Sequence, residues 1–214
     1  MTGGLLQYSG LLAKTKAMEG SLLSAQWMER LSKAESVEAA VAMLKGSPGY
    51  GQALSETEGV IRTVELGEQL EESLYEDYER LIRFAGRKQR EELKLFTFRG
   101  EADKTNELRR KRTLSDQRTK EIFTGLMELE HERKKLLFLY RKERFKTQDA
   151  AGIPLESIRQ EQMQWDAKID GTYRKFCLKY PVSIAPVLYY LYRKQKEIEA
   201  ILTAVEGVRL WSKN

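Results

Sequence analysis

The stretch 66–85, LGEQLEESLYEDYERLIRFA, decides the fold. Leu66, Leu70, Leu74, Tyr78, Leu81 and Ala85 recur in steps of four and three, and the positions between them are mostly Glu, Gln, Asp and Arg. Side chains three and four apart share one face of an α-helix, so this is an apolar stripe several turns long on a charged rod. Upstream, Ser55-Glu56-Thr57-Glu58 has the Ser-x-x-Glu form of a capping box, in which the hydroxyl and the carboxylate each satisfy an orphan backbone donor of the first turn. Downstream the helical pattern continues toward Arg99. The spacing therefore predicts one helix from the capping box to about Arg99, roughly 60 Å long at 1.5 Å per residue, enough to span a molecule.

Toward the N-terminus, Leu11 to Leu31 reads as one or two helices, with Ser24 as an N-cap ahead of Ala25-Gln26-Trp27-Met28. A short helix starts near Ser36, buries Val37, Ala40, Val41 and Leu44, and stops at Gly46-Ser47-Pro48-Gly49, the clearest turn in the chain. Beyond Gly100, Glu101 to Arg112 reads as a compact helix carrying Asp103, Asn106, Leu108, Arg109 and Arg110. Ser115 or Asp116 caps the next, which runs to about Lys146 with Ile122, Leu126, Leu129, Leu136 or Leu137, and Tyr140 inward. Gly152-Ile153-Pro154 ends that region. A helix from about Leu155 to Leu178 is broken by Tyr180-Pro181. The last begins at Ser183, tolerates Pro186 in its first turn, and places Leu188, Leu191, Ile198, Leu202 and Val205 on one face. No strand pattern is present. With no composition shift or long linker, the expectation is all-α: an elongated helical bundle with a long spanning helix, residues 1–214 forming a single domain.

Composition agrees. Of 214 residues, 32% are charged, 41% are apolar and only 4 are Pro, which favours amphipathic helices over sheet. One cysteine, Cys177, excludes an internal disulfide framework, and beside the lone His131 it cannot build a Cys/His zinc site, so no metal and a reducing compartment are expected. Met1 to Gly20 has no basic segment ahead of Leu5-Leu6 and is interrupted by Gln7, Ser9, Lys14 and Lys16, so it reads as neither signal peptide nor span. Thr2 stands where N-myristoylation needs Gly. The formal charge of +5 is spread among nearly as many acids, the mark of solvated helix faces.

Chemistry is hard to find. No GxxxxGK[ST] or GxGxxG offers a phosphate cradle, and Gly46 to Gly51, lacking both Lys and strand, reads as a turn. His131, in Glu130-His131-Glu132, has no nucleophile nearby and reads as a surface residue; Cys177 reads as a small core residue. No two carboxylates converge on a pocket. No catalytic residue and no cofactor is therefore expected. The basic runs Arg109-Arg110-Lys111-Arg112 and Arg141-Lys142-Glu143-Arg144 encircle their helices at about 100° per residue, so at least one base in each faces inward or toward another element. Tyr189, Tyr190 and Tyr192 beside Arg193-Lys194 could stack on nucleic acid, but helical spacing turns most of them to the core.

Several segments, in order, resemble the AC39 family, the C/d-type components of V/A-type rotary ATPases. Tyr8 through Leu54 is similar to the family's opening, particularly Lys16-Ala17-Met18-Glu19-Gly20-Ser21-Leu22-Leu23-Ser24 and Gly49-Tyr50-Gly51-Gln52-Ala53-Leu54. Leu74-Tyr75-Glu76-Asp77-Tyr78 and Asp103-Lys104-Thr105-Asn106-Glu107-Leu108-Arg109 resemble its long helix and a core helix. Arg141-Lys142-Glu143-Arg144-Phe145 followed by Pro154-Leu155-Glu156-Ser157-Ile158 is similar to a later core helix and turn. Pro186-Val187-Leu188-Tyr189-Tyr190-Leu191 into Lys196-Glu197-Ile198-Glu199 looks like the closing helix pair. The match touches both ends, but these are packing signatures whose order carries the resemblance. Members carry a further Gly-led arm where this chain passes Arg112, and Asn at later core-helix positions held here by Glu128-Leu129-Glu130-His131 and Glu197-Ile198-Glu199-Ala200. The chain thus looks like a shortened or divergent member with fewer or smaller pseudo-repeated helical lobes.

The resemblance implies a non-enzymatic central-stalk component that links the rotor shaft to the membrane proteolipid ring for proton or sodium translocation. It implies cytoplasmic, peripheral membrane association through protein contacts, with no small-molecule substrate. Asn106, Arg109, Arg110, Arg141 and Lys142 are then the expected shaft interface. The alternative is a helical scaffold or nucleic-acid-binding protein using its basic faces.

Overall fold

In the computed structural model the described residues are 3–57, 61–94, 117–146 and 155–211, with side chains described for these except 3–7, 130, 134–146 and 155–159. Among them are eight helices and no strand: α1 (Gly3–Glu19), α2 (Ala25–Ser32), α3 (Val37–Lys45), α4 (Thr63–Phe84), α5 (Arg87–Leu93), α6 (Gln117–Lys146), α7 (Leu155–Lys179) and α8 (Ala185–Trp211). The chain is all-α. None of these helices is long and apolar enough to cross a membrane. The chain divides into two compact units, Met1–Arg90 with Tyr190–Asn214, and Glu91–Tyr189.

In the first unit the short helices follow their caps. Ser24 and Ser36 sit in extended backbone, and their hydroxyls accept from the N–H groups of Trp27 (3.2 Å) and Ala39 (3.1 Å), which starts α2 and α3 where the sequence predicts. Helix α3 buries Val37, Ala40, Val41 and Leu44, the predicted four.

Helix α4 differs from expectation at both ends. It starts at Thr63 and not at the capping box, whose Ser55 lies in a turn with Oγ donating to the Gln52 carbonyl (2.8 Å), while Thr57 Oγ1 donates to Gln69 Oε1 of α4 (2.7 Å). Glu65 instead accepts from the Arg62 N–H (3.2 Å), and buried Ile61 and Leu66 occupy the two positions of a hydrophobic staple. Nor does α4 reach Arg99. It ends at Phe84 after 22 residues, about 33 Å at the helical rise, with Ala85 extended at φ −81 and ψ 135. The break is satisfied from both sides: Arg90 Nε donates to the Ala85 carbonyl (2.8 Å), and Gln89 Oε1 accepts from the Gly86 N–H (2.6 Å). Glycine costs roughly 1 kcal/mol inside a helix, so with these partners in reach a break at Gly86 is favoured over continuation.

The predicted stripe holds. Leu66, Leu70, Leu74, Leu81 and Ala85 are buried and Tyr78 is half-buried; Ser73 and Asp77 are buried on the same face. In the second unit, α6 packs on α7, with Ile122, Phe123 and Leu126 buried on one and Ile169, Tyr173 and Phe176 on the other. Gly125 lets the Phe176 ring come within 2.9 Å of where a β-carbon would stand. Helix α8 buries Leu188, Leu191, Ile198 and Val205 as predicted, with Leu202 only half-buried and Ile201 and Val208 taking its place in the core. The compact helix read over Glu101 to Arg112, the caps Ser115 and Asp116, and the Gly152-Ile153-Pro154 stop lie outside the described residues.

Candidate functional site

Along α8 from its second turn onward, Tyr190, Leu191, Lys194, Ile198, Ile201, Val205 and Val208 follow one another at helical steps, and every one is buried. Lys194 is the exception in chemistry: a lysine at 0 % exposure on an apolar line. Its Nζ lies 3.5 Å from the centroid of the Tyr50 ring and donates to the Gly49 carbonyl (3.2 Å). A desolvated ammonium over an aromatic face is a strong case of cation–π attraction.

Carboxylates close the arrangement. The Tyr50 hydroxyl donates to Glu197 Oε1 (2.7 Å), and the Leu23 N–H donates to Glu197 Oε2 (2.7 Å). The Tyr190 hydroxyl donates to Asp77 Oδ2 (2.5 Å), while Arg80 pairs with Asp77 Oδ1 (3.3 Å) and Glu76 Oε2 (3.0 Å) and donates to Gln52 Oε1 (3.3 Å). Four pieces of chain thus meet: the α1–α2 connector, the turn after α3, α4 and α8. Local sequence explains each position. Asp77 is on the buried stripe of α4, and Gly49 and Gly51 allow the turn to close, since a β-carbon at Gly49 would stand 2.7 Å from the Ser21 carbonyl oxygen and one at Gly51 2.6 Å from that of Lys45.

Burial governs the electrostatics. It pushes the Glu197 carboxyl up, an effect that the Tyr50 and Leu23 hydrogen bonds and nearby Lys194 only partly offset. It holds Lys194 below the ordinary lysine value against the opposing pull of Asp77 and Glu197. The Tyr50 and Tyr190 hydroxyls are raised far above the ordinary phenol range, first by burial and then by the carboxylates they donate to. Both tyrosines therefore stay protonated in the fold at pH values where the unfolded chain ionises them. Their contribution is full below about pH 10 and is lost as pH rises above it, because there the unfolded state releases protons that the folded state keeps. Lys194 acts in the opposite sense: between its lowered folded value and that of the unfolded chain, stability rises with pH. Tyr50→Phe removes one of the titrating phenols. Its unfolding free energy, measured by urea titration between pH 9 and 12, should fall less steeply than that of the parent above pH 10, by up to about 1.4 kcal/mol per pH unit. Parallel slopes would show that Tyr50 ionises as freely in the fold as outside it.

Chemically the cluster is a fastening. Both oxygens of Glu197 and both of Asp77 accept from protein donors, and Lys194 is spent on Gly49 and Tyr50. Among the described residues no group of three His, Cys, Asp or Glu side chains is arranged to hold a metal ion. His131 is exposed, as its sequence context predicts, whereas Cys177 is half-buried and not a core residue, because the inward positions of its turn go to Tyr173 and Phe176. Tyr190 and Tyr192 are buried and Tyr189 is half-buried.

Of the residues expected at a shaft interface, Asn106, Arg109 and Arg110 lie outside the described residues, and Arg141 and Lys142 fall in the last turns of α6 with side chains outside them. Lys194, Asp77 and Glu197 escape a reading in which charged residues are solvated helix faces. The signal was present: Lys194 is four residues after Tyr190 and four before Ile198, and Asp77 is three after Leu74 and four before Leu81, each on its helix's apolar stripe.

The comparisons with known proteins bear on the whole arrangement. A search of curated proteins and a search of solved structures each give no match. The family model for the ATP synthase (C/AC39) subunit matches residues 11–147, well over half of the 214, and its span includes Tyr50, Asp77 and Arg80 of the cluster. The order of segments from Leu11 to the end of α6, the all-helical fold and this match agree: the chain belongs to the ATP synthase (C/AC39) subunit family.

Proposed function

We propose that the chain is a non-enzymatic coupling subunit in the central stalk of a V/A-type rotary ATPase, joining the rotor shaft to the membrane proteolipid ring. The family match over residues 11–147 carries this reading. A part that passes torque must resist bending, and the first unit is built for stiffness: long helices on continuous apolar stripes, joined by a buried and half-buried set of charge-assisted hydrogen bonds. The work of such a part is mechanical and requires neither cofactor nor metal. It operates on the cytoplasmic side of the membrane as a peripheral component held by protein contacts, its 214 residues acting as one AC39-like domain with fewer or smaller lobes.

In this proposal Asn106, Arg109, Arg110, Arg141 and Lys142 supply a polar face to the shaft. Polar groups suit an interface that must carry load without a hydrophobic plug. The nucleic-acid alternative is weakened by the burial of Tyr190 and Tyr192, which leaves two of its three stacking aromatics out of reach.

Pull-down with purified shaft and ring proteins tests the reading. The folded chain is expected to retain at least one of them, and to show no salt-sensitive binding to generic DNA or RNA. Folded, helical protein that retains neither would overturn the stalk role. Nucleic-acid binding that falls steeply with salt would install the alternative instead.

A further inference from the structure

The α1–α2 connector has little apolar anchorage. Gly20 and Ser24 are exposed, and Ser21, Leu22 and Leu23 are only half-buried. What fixes it is polar: the Leu23 N–H donates to Glu197, and the Ser21 carbonyl lies so close to Gly49 that a β-carbon there would stand 2.7 Å away. The turn after α3 reaches the same helix through Tyr50 and Gly49. One carboxylate, Glu197, accepts from both segments, one on each oxygen. Lys194, one turn earlier on α8, sits on the face of the same Tyr50 ring whose hydroxyl Glu197 holds. A carboxylate accepting from the phenol draws electron density into the ring, and a richer ring attracts the ammonium more strongly, so the contacts reinforce each other.

We infer that Glu197, Tyr50 and Lys194 form a strap that fastens the α1–α2 connector and the turn after α3 to α8 as one cooperative unit, so that the two segments open and close together although they lie nearly thirty residues apart in sequence. This is a conformational device of the first unit, and it stands whether or not the stalk role does. Local opening in proteins proceeds through such cooperative pieces, with free energies well below that of global unfolding. Burial strengthens the coupling at Lys194, which is fully buried and has no solvent route to replace a lost partner, while half-buried Glu197 is held by donors on both of its oxygens.

Amide hydrogen exchange on the full chain tests it. Glu197→Gln keeps the shape but removes the charge that both donors share, and Tyr50→Phe removes one hydroxyl from a ring that stays in place. In Glu197→Gln, the amides of Ser21, Leu22 and Leu23 and those of Gly51 and Leu54 are expected to exchange faster by a common factor, roughly ten- to a hundredfold for the loss of a hydrogen bond to a charged acceptor. Leu70 and Leu74 in the middle of α4 should keep their rates. In Tyr50→Phe the connector should also loosen, although Tyr50 does not touch it through any hydrogen bond. Acceleration of only one segment, no acceleration, or an equal rise across α4 as well would overturn the strap, the last by showing a loss of stability with no local device. Should Glu197→Gln fail to fold, the Tyr50→Phe result decides alone, by whether Leu22 and Leu23 loosen with Gly51 and Leu54.

Discussion

Glu197→Ala is expected to lower unfolding free energy by about 2 to 3 kcal/mol, the cost of taking a charged acceptor from its donors at a half-buried site. The truncation takes the acceptor from the Tyr50 hydroxyl and the Leu23 N–H, and it strips Lys194 of one of the two acids that offset its desolvation. Lys194→Met gives the contrast. Methionine has nearly the length of lysine, and the charge it removes is one that burial already disfavours. It loses the Gly49 hydrogen bond, the Tyr50 ring contact and the attraction to Asp77 and Glu197, offset by release from the desolvation of the ammonium, a net of about 1 to 2 kcal/mol. Urea unfolding of both variants at neutral pH checks the order. Equal effects, or a larger loss in Lys194→Met, would mean that the cation and not the carboxylate organises the cluster.

Gly49→Val is expected to cost about 3 kcal/mol, the upper end of what overpacking does. A β-carbon at this position meets the Ser21 carbonyl oxygen at 2.7 Å and Lys194 Nζ at 3.2 Å; the first is backbone and the second is pinned between Gly49 and Tyr50. Neither can retreat without opening the connector or displacing a buried ammonium. Gly10 supplies the control. It lies within α1 with nothing inside 4 Å of its missing β-carbon, so Gly10→Ala should stabilise by roughly 0.5 to 1 kcal/mol through helix propensity alone. Thermal melts of the two variants should therefore move in opposite directions. A Gly49→Val melt that coincides with the parent would mean that the turn and the connector do not meet as described.

These effects show which parts of the fold can be read locally. The stripe from Leu66 to Ala85, the serine caps of α2 and α3, the four buried residues of α3 and the stop at Tyr180-Pro181 each depend on neighbours within a few turns, and each is legible in the sequence. The start of α4 at Thr63 and its end at Phe84 depend on competition. Ser55 and Thr57 have the right chemistry to cap a helix but find other partners, and Gly86 yields because Gln89 and Arg90 satisfy the broken ends. A periodic pattern that keeps one phase through a glycine gives no local sign of which outcome has the lower free energy.

The cluster was half legible. Polar residues on an apolar stripe, Asp77 and Lys194, announce burial, and burial demands partners. Which partners they find is set by tertiary structure: Tyr190 meets Asp77 across 113 residues, and Tyr50 meets Glu197 across 147. Gly49-Tyr50-Gly51 was legible as a turn, but the need for glycine at its first position comes from Ser21, which no local pattern connects to it. The family resemblance, in contrast, lies in the order of weak signatures along the chain, and the family model matches residues 11–147, which take in those up to Phe145 and not those at 154–158 and 186–199.

The central claim, mechanical coupling without catalysis, is tested most directly in the rotary complex that contains this chain, by measuring ATP hydrolysis and ion transport in membranes with and without it. Removal is expected to abolish ATP-driven ion transport while the soluble catalytic part continues to hydrolyse ATP, with transport restored when the purified chain is added back. Transport that continues at the same ratio to hydrolysis in the chain's absence would contradict the account.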